Sequence, residues 1–456
     1  MRPLFPRRPV PVGLAGQVEP DGQAEQLSIC GRFLCRIGPM AITLMVLIFG
    51  LMACSDPRQQ AFQVQSTYEA PAPASSRPDA PLGAEAVLLE LYEDAVAGRH
   101  QQALDRARQL TLQFPHFQLG QMLYAELLNL SLDQPFDPAS VGAAADAKNK
   151  VPERMNLLLD ELKQRRKSLS PVAPPGWTPR NFVHLSSDQR YAVAVDVSRS
   201  RLYLLAQQGE PLEDGEPRFS VVADMYITAG LNGIGKQVEG DGKTPEGVYF
   251  VGKSPPNRVL PDLYGSGALM LNYPNALDLR RGKTGSGIWL HGTPQLQYSR
   301  PPLDSDGCIV LSNLEMKRLI DLPGLRGAPI VISAKLEWTA PSSLKADREA
   351  FSSTLARWHS AWQAGQEPAI KTLYSPSFER NGKNLGYWWP ELAARAKTRP
   401  PALNTQVKSI LRWTDQDDHM IVTLQDNSNE KALWRLYWVK AGADWQIVYE
   451  GPASSP

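Results

Sequence analysis

Two side chains in the second half of the chain have the types needed for nucleophilic catalysis. Cys308 lies in the stretch PPLDSDGCIV, and His291 lies 17 positions earlier in GSGIWLHGTP. A thiol with a pKa of about 8.5 is only slightly ionised at neutral pH, so a nucleophilic cysteine needs a nearby base or cation. We therefore consider Cys308 as a nucleophile and His291 as its base.

The glycines beside these two residues support that interpretation. Gly292 and Gly307 let the backbone pass close to both side chains, and the N–H groups of Gly307 and Cys308 could face a developing oxyanion. An imidazolium could lower the thiol pKa by about two units, or roughly 2.7 kcal/mol. Spacing alone does not show that Cys308 and His291 meet. A buried, inert cysteine and a hydrogen-bonded core histidine are the alternatives.

Metal, cofactor and nucleic-acid functions have little support in the sequence. One cysteine and one histidine need two more ligands to hold a metal, and no CxxC or HxxxH spacing supplies them. We therefore predict no metal site and no cofactor. The 48 basic and 47 acidic residues leave a formal net charge of +1, which does not favour nucleic acid as a partner.

The N-terminal region has the pattern of an export signal. The apolar run Met40–Ala53 follows Arg32 and Arg36. It is shorter than the roughly 20 residues of a membrane-spanning helix but suits the apolar region of a secretory signal. The sequence LMAC that ends at Cys54 resembles a bacterial lipobox, whose cysteine is acylated, and Ser55 after it favours the outer membrane. We expect a periplasmic protein anchored to the outer membrane by a lipid at Cys54. An uncleaved N-terminal anchor is the alternative.

Export leaves one free thiol. Cys30 and Cys35 would be removed with the signal and Cys54 would carry the lipid, which leaves Cys308. A lone cysteine cannot form an intramolecular disulfide in an oxidising compartment, so it is either buried and inert or present for its chemistry.

The length and local patterns predict a multidomain protein. After the signal and lipobox region, 1–54, residues 55–83 are rich in Pro, Ala, Ser and Gln and are expected to form a disordered tether. Residues 84–170 have helical periodicity. A break at Gly98 indicates an α-helical hairpin that resembles one tetratricopeptide unit and packs on a third helix near 151–168.

The remaining chain divides into two further regions. Residues 180–336 have short strands and Gly-rich loops, typical of a mainly β domain, with a hairpin over Tyr191–Leu205. Residues 345–456 begin with helices and continue with strands. This order resembles the α+β, cone-like fold of the nuclear transport factor and SnoaL-like families. The aromatic residues there either form its core or line a pocket: Trp358, Trp362, Tyr387, Trp388 and Trp389.

Several motifs of the central region together resemble one enzyme family. His291-Gly292-Thr293 precedes Ser305-Asp306-Gly307-Cys308-Ile309, and upstream lie Thr228-Ala229-Gly230 and EGDGKTPEGVY, residues 239–249. Over about 150 residues this combination resembles the L,D-transpeptidase catalytic domain. In that family a cysteine attacks the carbonyl of diaminopimelate in a peptidoglycan stem peptide, and an amine or water resolves the thioester.

The resemblance implies roles for individual residues. Cys308 is the nucleophile and His291 the general base and acid. The carbonyl of Gly292 orients the histidine, and the amides of Gly307 and Cys308 bind the oxyanion. As substrate-binding residues we expect Ser305, Asp306, Tyr273 and Arg300.

Two positions depart from the family pattern. Histidine usually precedes the glycine and arginine usually lies two places after the cysteine, where this chain has Asp306 and Val310. With Tyr273-Pro274-Asn275 and GSGIWLHG, the chain more closely resembles a divergent branch that includes a murein amidohydrolase detaching lipoprotein from the wall.

Three functions therefore stay open. The first is an exported L,D-transpeptidase acting on diaminopimelate-containing stem peptides. The second is an amidohydrolase or endopeptidase that cleaves diaminopimelate amide links, including those to outer-membrane lipoprotein. The third is a non-catalytic scaffold that binds the wall and recruits wall proteins.

Overall fold

The architecture comes from a computed structural model. It describes residues 83–131, 151–212, 214–256, 259–398, 405–427 and 429–453. The predicted signal and lipobox region, 1–54 with Cys54, lies outside the described residues, as does the predicted tether except for Gly83. None of the helices within the described ranges is long and apolar enough to cross a membrane.

The N-terminal region consists of helices, as its periodicity predicts. They are α1 (Ala84–Val96), α2 (His100–Gln113), α3 (Gln118–Ser131) and α4 (Val151–Arg166). Gly98 separates α1 from α2 with a φ of 76°, a conformation that glycine adopts without the strain a Cβ brings. Leu88 and Leu91 of α1 are buried, as is Leu110 of α2, so apolar stripes hold these helices together.

The central region is mainly β. Its strands are β1 (Thr178–Pro179), β2 (Phe182–Leu185), β3 (Tyr191–Asp196), β4 (Arg201–Gln207), β5 (Phe219–Tyr226), β6 (Ala229–Gly230), β7 (Gly247–Phe250), β8 (Ala268–Met270), β9 (Trp289–His291), β10 (Leu303–Ser305), β11 (Ile309–Val310), β12 (Pro329–Ser333) and β13 (Trp338–Thr339). Two short helices are α5 (Ala276–Arg280) and α6 (Asn313–Ile320).

A five-stranded mixed sheet in the order β5-β4-β3-β12-β7 forms the frame of this region. The hairpin of β3 and β4 pairs Asp196 with Arg201 around a turn in which Ser200 has a φ of 52°. Strand β12 runs parallel to β3 and antiparallel to β7. Every residue of β3 is buried, as expected for a strand covered on both faces.

Each face of this sheet packs against a different partner. Val193 and Val195 share a core cluster with Leu290 and Ile309 of the small sheets that carry the candidate site. The opposite face shares a cluster with the C-terminal sheet, where Ala194 packs with residues such as Tyr437. The mixed sheet therefore joins the candidate site to the C-terminal domain.

The C-terminal region combines helices with a five-stranded sheet. Its elements are α7 (Pro341–Gln363), α8 (Glu367–Thr372), β14 (Glu379–Arg380), β15 (Lys383–Asn384), α9 (Leu385–Thr398), β16 (Thr405–Thr414), β17 (Asp418–Asp426), β18 (Asn429–Ala441) and β19 (Asp444–Pro452). Together with the N-terminal helices and the mainly β central region, these elements confirm the predicted multidomain fold class. The resemblance of this region to the nuclear transport factor and SnoaL-like families stays a prediction.

One strand of the C-terminal sheet comes from much earlier in the chain. The sheet order is β19-β18-β17-β16-β2, and His184 of β2 pairs with Ile410 of β16. The helices cover one face, where Trp358 and Trp362 pack with Trp438. These tryptophans belong to the core, whereas the side chain of Tyr387 is 62% exposed.

A buried ion network ties the helices to the central region. Glu85 of α1 accepts hydrogen bonds from Arg201 of β4 at 2.6 and 3.0 Å and lies 3.4 Å from Arg165 of α4. Arg165 also pairs with Glu161 at 2.9 Å. Burial opposes ionisation of Glu85, yet the charges of Arg165 and Arg201 hold its pKa below the usual value.

The same network reaches the chain segment that leads to Cys308. The Ser299 hydroxyl donates to Glu161 at 2.7 Å, and the Tyr298 ring packs on Phe117 with centroids 4.6 Å apart. The Tyr226 hydroxyl then donates to the Arg300 carbonyl at 2.9 Å. The helices therefore support one wall of the candidate site.

We predict that Glu85→Ala lowers the free energy of unfolding by about 3 kcal/mol, because it removes the carboxylate that accepts two hydrogen bonds from the buried guanidinium of Arg201 and leaves it the partly exposed carboxylate of Asp224 at 3.5 Å. Glu90→Ala on the same helix is the matched control. Glu90 forms a half-exposed pair with Arg106, so this loss should stay below about 1 kcal/mol. Urea unfolding of both variants measures the difference, and equal losses would show that the network does not stabilise the fold.

Candidate active site

Two neighbouring strands carry the predicted nucleophile and base. Strand β9 ends at His291, and Cys308 directly precedes β11. The two strands pair in parallel, with Leu290 opposite Ile309 and His291 opposite Val310. In this register Cys308, one position before Ile309, lies beside the start of β9 and His291 lies at its end, so both residues belong to one small sheet, two positions apart along the strands.

The thiol of Cys308 is surrounded by the backbone that leads into β9. Its Sγ donates to the Gly287 carbonyl oxygen at 3.4 Å, and the backbone N–H of Trp289 favours the thiolate. Burial raises the pKa of the Cys308 thiol above its ordinary value, and the negative charge of Asp306 acts in the same direction. The positive charges of Lys236 and Arg300 oppose both effects.

The imidazole of His291 is held in one orientation. Its Nδ1 lies 2.7 Å from the Gly292 carbonyl oxygen, and its ring meets the Tyr264 ring edge-on at 5.1 Å. A carbonyl oxygen can only accept, so Nδ1 carries the proton and Nε2 keeps its lone pair. Burial lowers the pKa of His291 to about 4, and the charge of Arg300 contributes to the lowering.

The resting pair is consequently neutral at neutral pH. A His291 with a pKa of about 4 is an uncharged imidazole, and a thiol with a raised pKa stays protonated. This differs from the imidazolium and thiolate considered from the sequence, because spacing does not reveal how deeply the two groups are buried. A neutral imidazole with a free Nε2 lone pair is suited to accept a proton during attack.

Ser305 and Gly307 fix the turn before Cys308. The Ser305 hydroxyl donates to the Cys308 carbonyl at 2.6 Å and accepts from the Gly307 N–H at 3.1 Å. Ser305 is therefore buried and engaged within the loop, and Gly307, one of the two predicted oxyanion donors, gives its N–H to this serine. Gly307 has a φ of 124°, and a Cβ there would lie 2.5 Å from the Lys243 carbonyl oxygen. The turn therefore requires glycine.

An ion pair stiffens the loop that faces this turn. Lys236 is buried and lies 2.9 Å from Asp241, whose carboxylate also accepts from the backbone N–H groups of Gln237, Val238 and Lys243. Despite the cost of burial, these donors hold the pKa of Asp241 far below its usual range. The motif at 239–249 thus sets the position of the Lys243 carbonyl against Gly307.

Asn313 is a positioning residue that sequence reasoning missed. Its Nδ2 donates to the Thr293 carbonyl at 2.8 Å, and its Oδ1 accepts from the Ser266 N–H at 2.7 Å. A Cβ on Gly292 would lie 2.2 Å from that Oδ1, so the loop after His291 needs glycine. The sequence signal that could have pointed to Asn313 is the capping box formed by Ser312 and Glu315 at the start of α6.

The other predicted substrate-binding residues lie in different surroundings. Asp306 is exposed beside the thiol. Tyr273 is buried in the core, and its hydroxyl donates to the Thr284 carbonyl at 3.0 Å. Arg300 donates to the Asp304 carbonyl at 3.2 Å, while its buried Nε has no hydrogen-bond partner among the described residues.

The position where the family has arginine is closed to solvent. Val310 is 2% exposed, and its backbone exchanges hydrogen bonds with Thr228 at 2.9 and 3.0 Å. A long cationic side chain would not fit there without repacking the core. In the part of the chain that the structure describes, no group of three or more His, Cys, Asp or Glu side chains could hold a metal ion.

We predict that Asp306→Asn shifts the pH midpoint of Cys308 alkylation to lower pH. Removing a negative charge beside the sulfur stabilises the thiolate, which lowers the thiol pKa. The rate of iodoacetamide labelling as a function of pH measures the midpoint. Asp304→Asn makes the same charge change two residues away and should shift it less. An unchanged midpoint in Asp306→Asn would remove Asp306 from the electrostatics of the site.

Part of this chain is similar to known proteins. Residues 190–332 match the model of the YkuD family, described as the L,D-transpeptidase catalytic domain. No curated protein matches the chain. Among solved structures, Bd1075 of Bdellovibrio bacteriovorus is 24% identical with a TM-score of 0.47, covering 61% of this chain and 98% of its own.

A second similar structure is the helical cell shape determining protein Pgp2 of Campylobacter jejuni. It is 19% identical with a TM-score of 0.46, covering 64% of this chain and 99% of its own. The family match covers the strands that carry His291 and Cys308 as well as the mixed sheet behind them. The resemblance given by the sequence motifs is thus confirmed for this part of the chain: residues 190–332 form an L,D-transpeptidase catalytic domain of the YkuD family.

Proposed function

We propose that this protein is an exported cysteine enzyme that modifies peptidoglycan, acting on diaminopimelate-containing stem peptides through a thioester at Cys308. The parallel pairing of β9 with β11 carries the proposal, because it unites Cys308 and His291 in the domain that matches the family. L,D-transpeptidation, with an amine as acceptor, is the first candidate reaction.

The neutral pair defines the first chemical step. Nε2 of His291 accepts the thiol proton while Sγ attacks the substrate carbonyl, so no preformed thiolate is needed. The backbone N–H of Trp289, which favours the thiolate, is a donor near the developing negative charge. The imidazolium then returns its proton to the leaving amine, the carbon–nitrogen bond breaks, and the acyl group stays on Sγ.

The second step depends on which acceptor reaches the thioester. An amine attacks the carbonyl carbon, loses its proton to His291 and forms a new peptide bond while Sγ leaves. Water follows the same course and yields a carboxylate, which is the amidohydrolase or endopeptidase reaction. The buried Val310 stands where the family has arginine, so the substrate contacts differ from the usual pattern. This difference supports hydrolysis as the second candidate reaction.

Arg300 is the side chain best suited to bind the substrate carboxylate in place of that arginine. Its charge acts on both His291 and Cys308, and its Nε lacks a partner among the described residues. Its carbonyl is held by the hydroxyls of Tyr226 and Thr228, at 2.9 and 3.1 Å, so its backbone is fixed beside the site. A guanidinium can bind a carboxylate through two parallel hydrogen bonds.

The N-terminal sequence supports a proposed cellular location for the protein. The run Met40–Ala53 would direct export, and acylation of Cys54 would hold the protein at the outer membrane, with the wall within reach. Stem peptides are the proposed substrate, and wall-attached lipoproteins are proposed partners. Metabolic labelling with an alkyne fatty acid tests the anchor, because Cys54→Ser should abolish the label.

The activity is tested by mass spectrometry of diaminopimelate-containing muropeptides incubated with the full chain, with and without an added amine. We expect new cross-links or amine exchange that vanish in Cys308→Ala. Amide cleavage without capture of the amine would instead establish the hydrolase. No Cys308-dependent change under either condition would reject both enzymes and favour the scaffold.

We predict that Arg300→Gln lowers kcat/KM by about 10- to 100-fold for substrates with a free carboxylate, because one charge-assisted contact is lost. Substrates amidated at that carboxylate should lose much less. Arg318→Gln on the exposed face of α6 is the matched control and should leave kcat/KM unchanged. An equal loss with both substrates would assign Arg300 to the loop structure rather than to carboxylate binding.

A further inference from the structure

A second cavity lies between the catalytic domain and the C-terminal sheet. Its volume is about 450 Å³, which is within the range of small-molecule sites. Among the predicted site residues, only Tyr273 lines it within the part of the chain that the structure describes. Its polar and aromatic lining includes Asn272, Arg280, Glu379, Arg435, Tyr437 and Tyr449.

Arg435 is an unusual residue for such a position. It lies on β18, is 7% exposed, and its guanidinium carbon lies 3.3 Å from the centroid of the Phe250 ring. It has no ion pair with a described residue, and its buried Nε has no hydrogen-bond partner there. Burial lowers the pKa of Arg435 to about 10, so the side chain is still a cation at neutral pH.

A buried cation without a carboxylate is costly, since a fully desolvated charge needs a partner of opposite sign. The ring of Phe250 contacts one side of the guanidinium and offers only a weak counterpart. The other arginine in the strands of this sheet has acidic partners. That arginine is Arg412, which lies 2.7 Å from Asp418 and 3.2 Å from Asp347. The missing partner of Arg435 therefore indicates a bound anion.

The other charged side chains that line the cavity indicate the charge of the anion. Arg280 donates to the carbonyls of Ser377 and Val448, at 2.8 and 3.2 Å, and so brings a second positive charge without a carboxylate bond. Glu379 is the acidic side chain among the described lining residues, and it is exposed. The formal charges of these three groups sum to one positive charge, which matches a monoanion better than a phosphate dianion.

Polar and aromatic groups complete the cavity. Oδ1 of Asn272 accepts from the Phe250 N–H at 2.7 Å, which turns its amide nitrogen toward other acceptors. The rings of Tyr437 and Tyr449 pack edge-on at 5.5 Å and form an apolar wall. Such a wall suits the hydrocarbon part of a carboxylic acid or a short peptide.

We propose that this cavity is a second ligand site, which binds a monoanionic carboxylate at Arg435 between the catalytic and C-terminal domains. The carboxylate takes the place of the acidic partner that Arg435 lacks, and the tyrosines contact the body of the ligand. The proposal does not depend on the reaction at Cys308, and it gives the C-terminal domain a direct role in recognition.

The test uses the full chain with Cys308→Ala, so that no probe is turned over, and isothermal titration calorimetry at low ionic strength. The probes are N-acetyl-D-alanyl-D-alanine, its C-terminal amide, butyrate and inorganic phosphate. We expect the peptide acid to bind and its amide to bind at least tenfold more weakly. Butyrate binding as tightly as the peptide would identify a simple carboxylic acid as the ligand type.

Arg435→Met is the variant that decides the site, since it keeps the length of the side chain and removes its charge. We expect at least a tenfold loss of affinity for the peptide acid. Arg412→Met in the same sheet should bind as the unmodified chain does. Without ligand, Arg435→Met should not lower the melting temperature, because no ion pair is broken, whereas Arg412→Met should lower it.

Four results would overturn the proposal. They are no binding of any carboxylate probe at millimolar concentration, equal binding of acid and amide, phosphate binding as tightly as the acid, and unchanged affinity in Arg435→Met. If Arg435→Met does not fold, Arg435→Lys keeps the charge but not the two-pronged geometry and should bind more weakly. The contrast between acid and amide tests the preference for a carboxylate independently of any variant, and the Arg435 variants locate it.

Discussion

The parallel pairing of β9 with β11 is the constraint on which the candidate active site depends. Hydrogen bonds between two very short strands set Val310 opposite His291, and this register determines where Cys308 lies relative to the imidazole. Leu290 and Ile309 between them are fully buried against the mixed sheet. The large core therefore holds the candidate active site in place, because a shift of register would expose apolar side chains.

Close contacts between backbones extend that constraint to the loops. Gly307 lies against the Lys243 carbonyl and Gly292 lies against Asn313, and at both points a Cβ would overlap its neighbour. The loops around the thiol are thus packed by main chain rather than by large side chains. This packing also produces the electrostatics, since burial opposes charge on both Cys308 and His291.

The sequence predicted the parts of this molecule that local patterns encode. The hairpin over Tyr191–Leu205, the helix break at Gly98 and the motif residues His291 and Cys308 depend on neighbours within a few positions, or on a family signature. The protonation of the pair did not follow, because burial is a property of the folded core. Asn313 and Arg435 were missed for a related reason: their importance depends on contacts with distant segments.

The pairing of β2 with β16 has a consequence for how the chain is made. Residues 182–185 are synthesised before the catalytic domain, yet their hydrogen-bonding partner at 405–414 is synthesised after it. Along the sequence, the catalytic domain thus lies between two strands of the same sheet. Until residues 405–414 have followed, β2 lacks its partner strand next to a nascent domain, and such edges are prone to pair wrongly. Synthesis of β16 is therefore the event that gives β2 its partner.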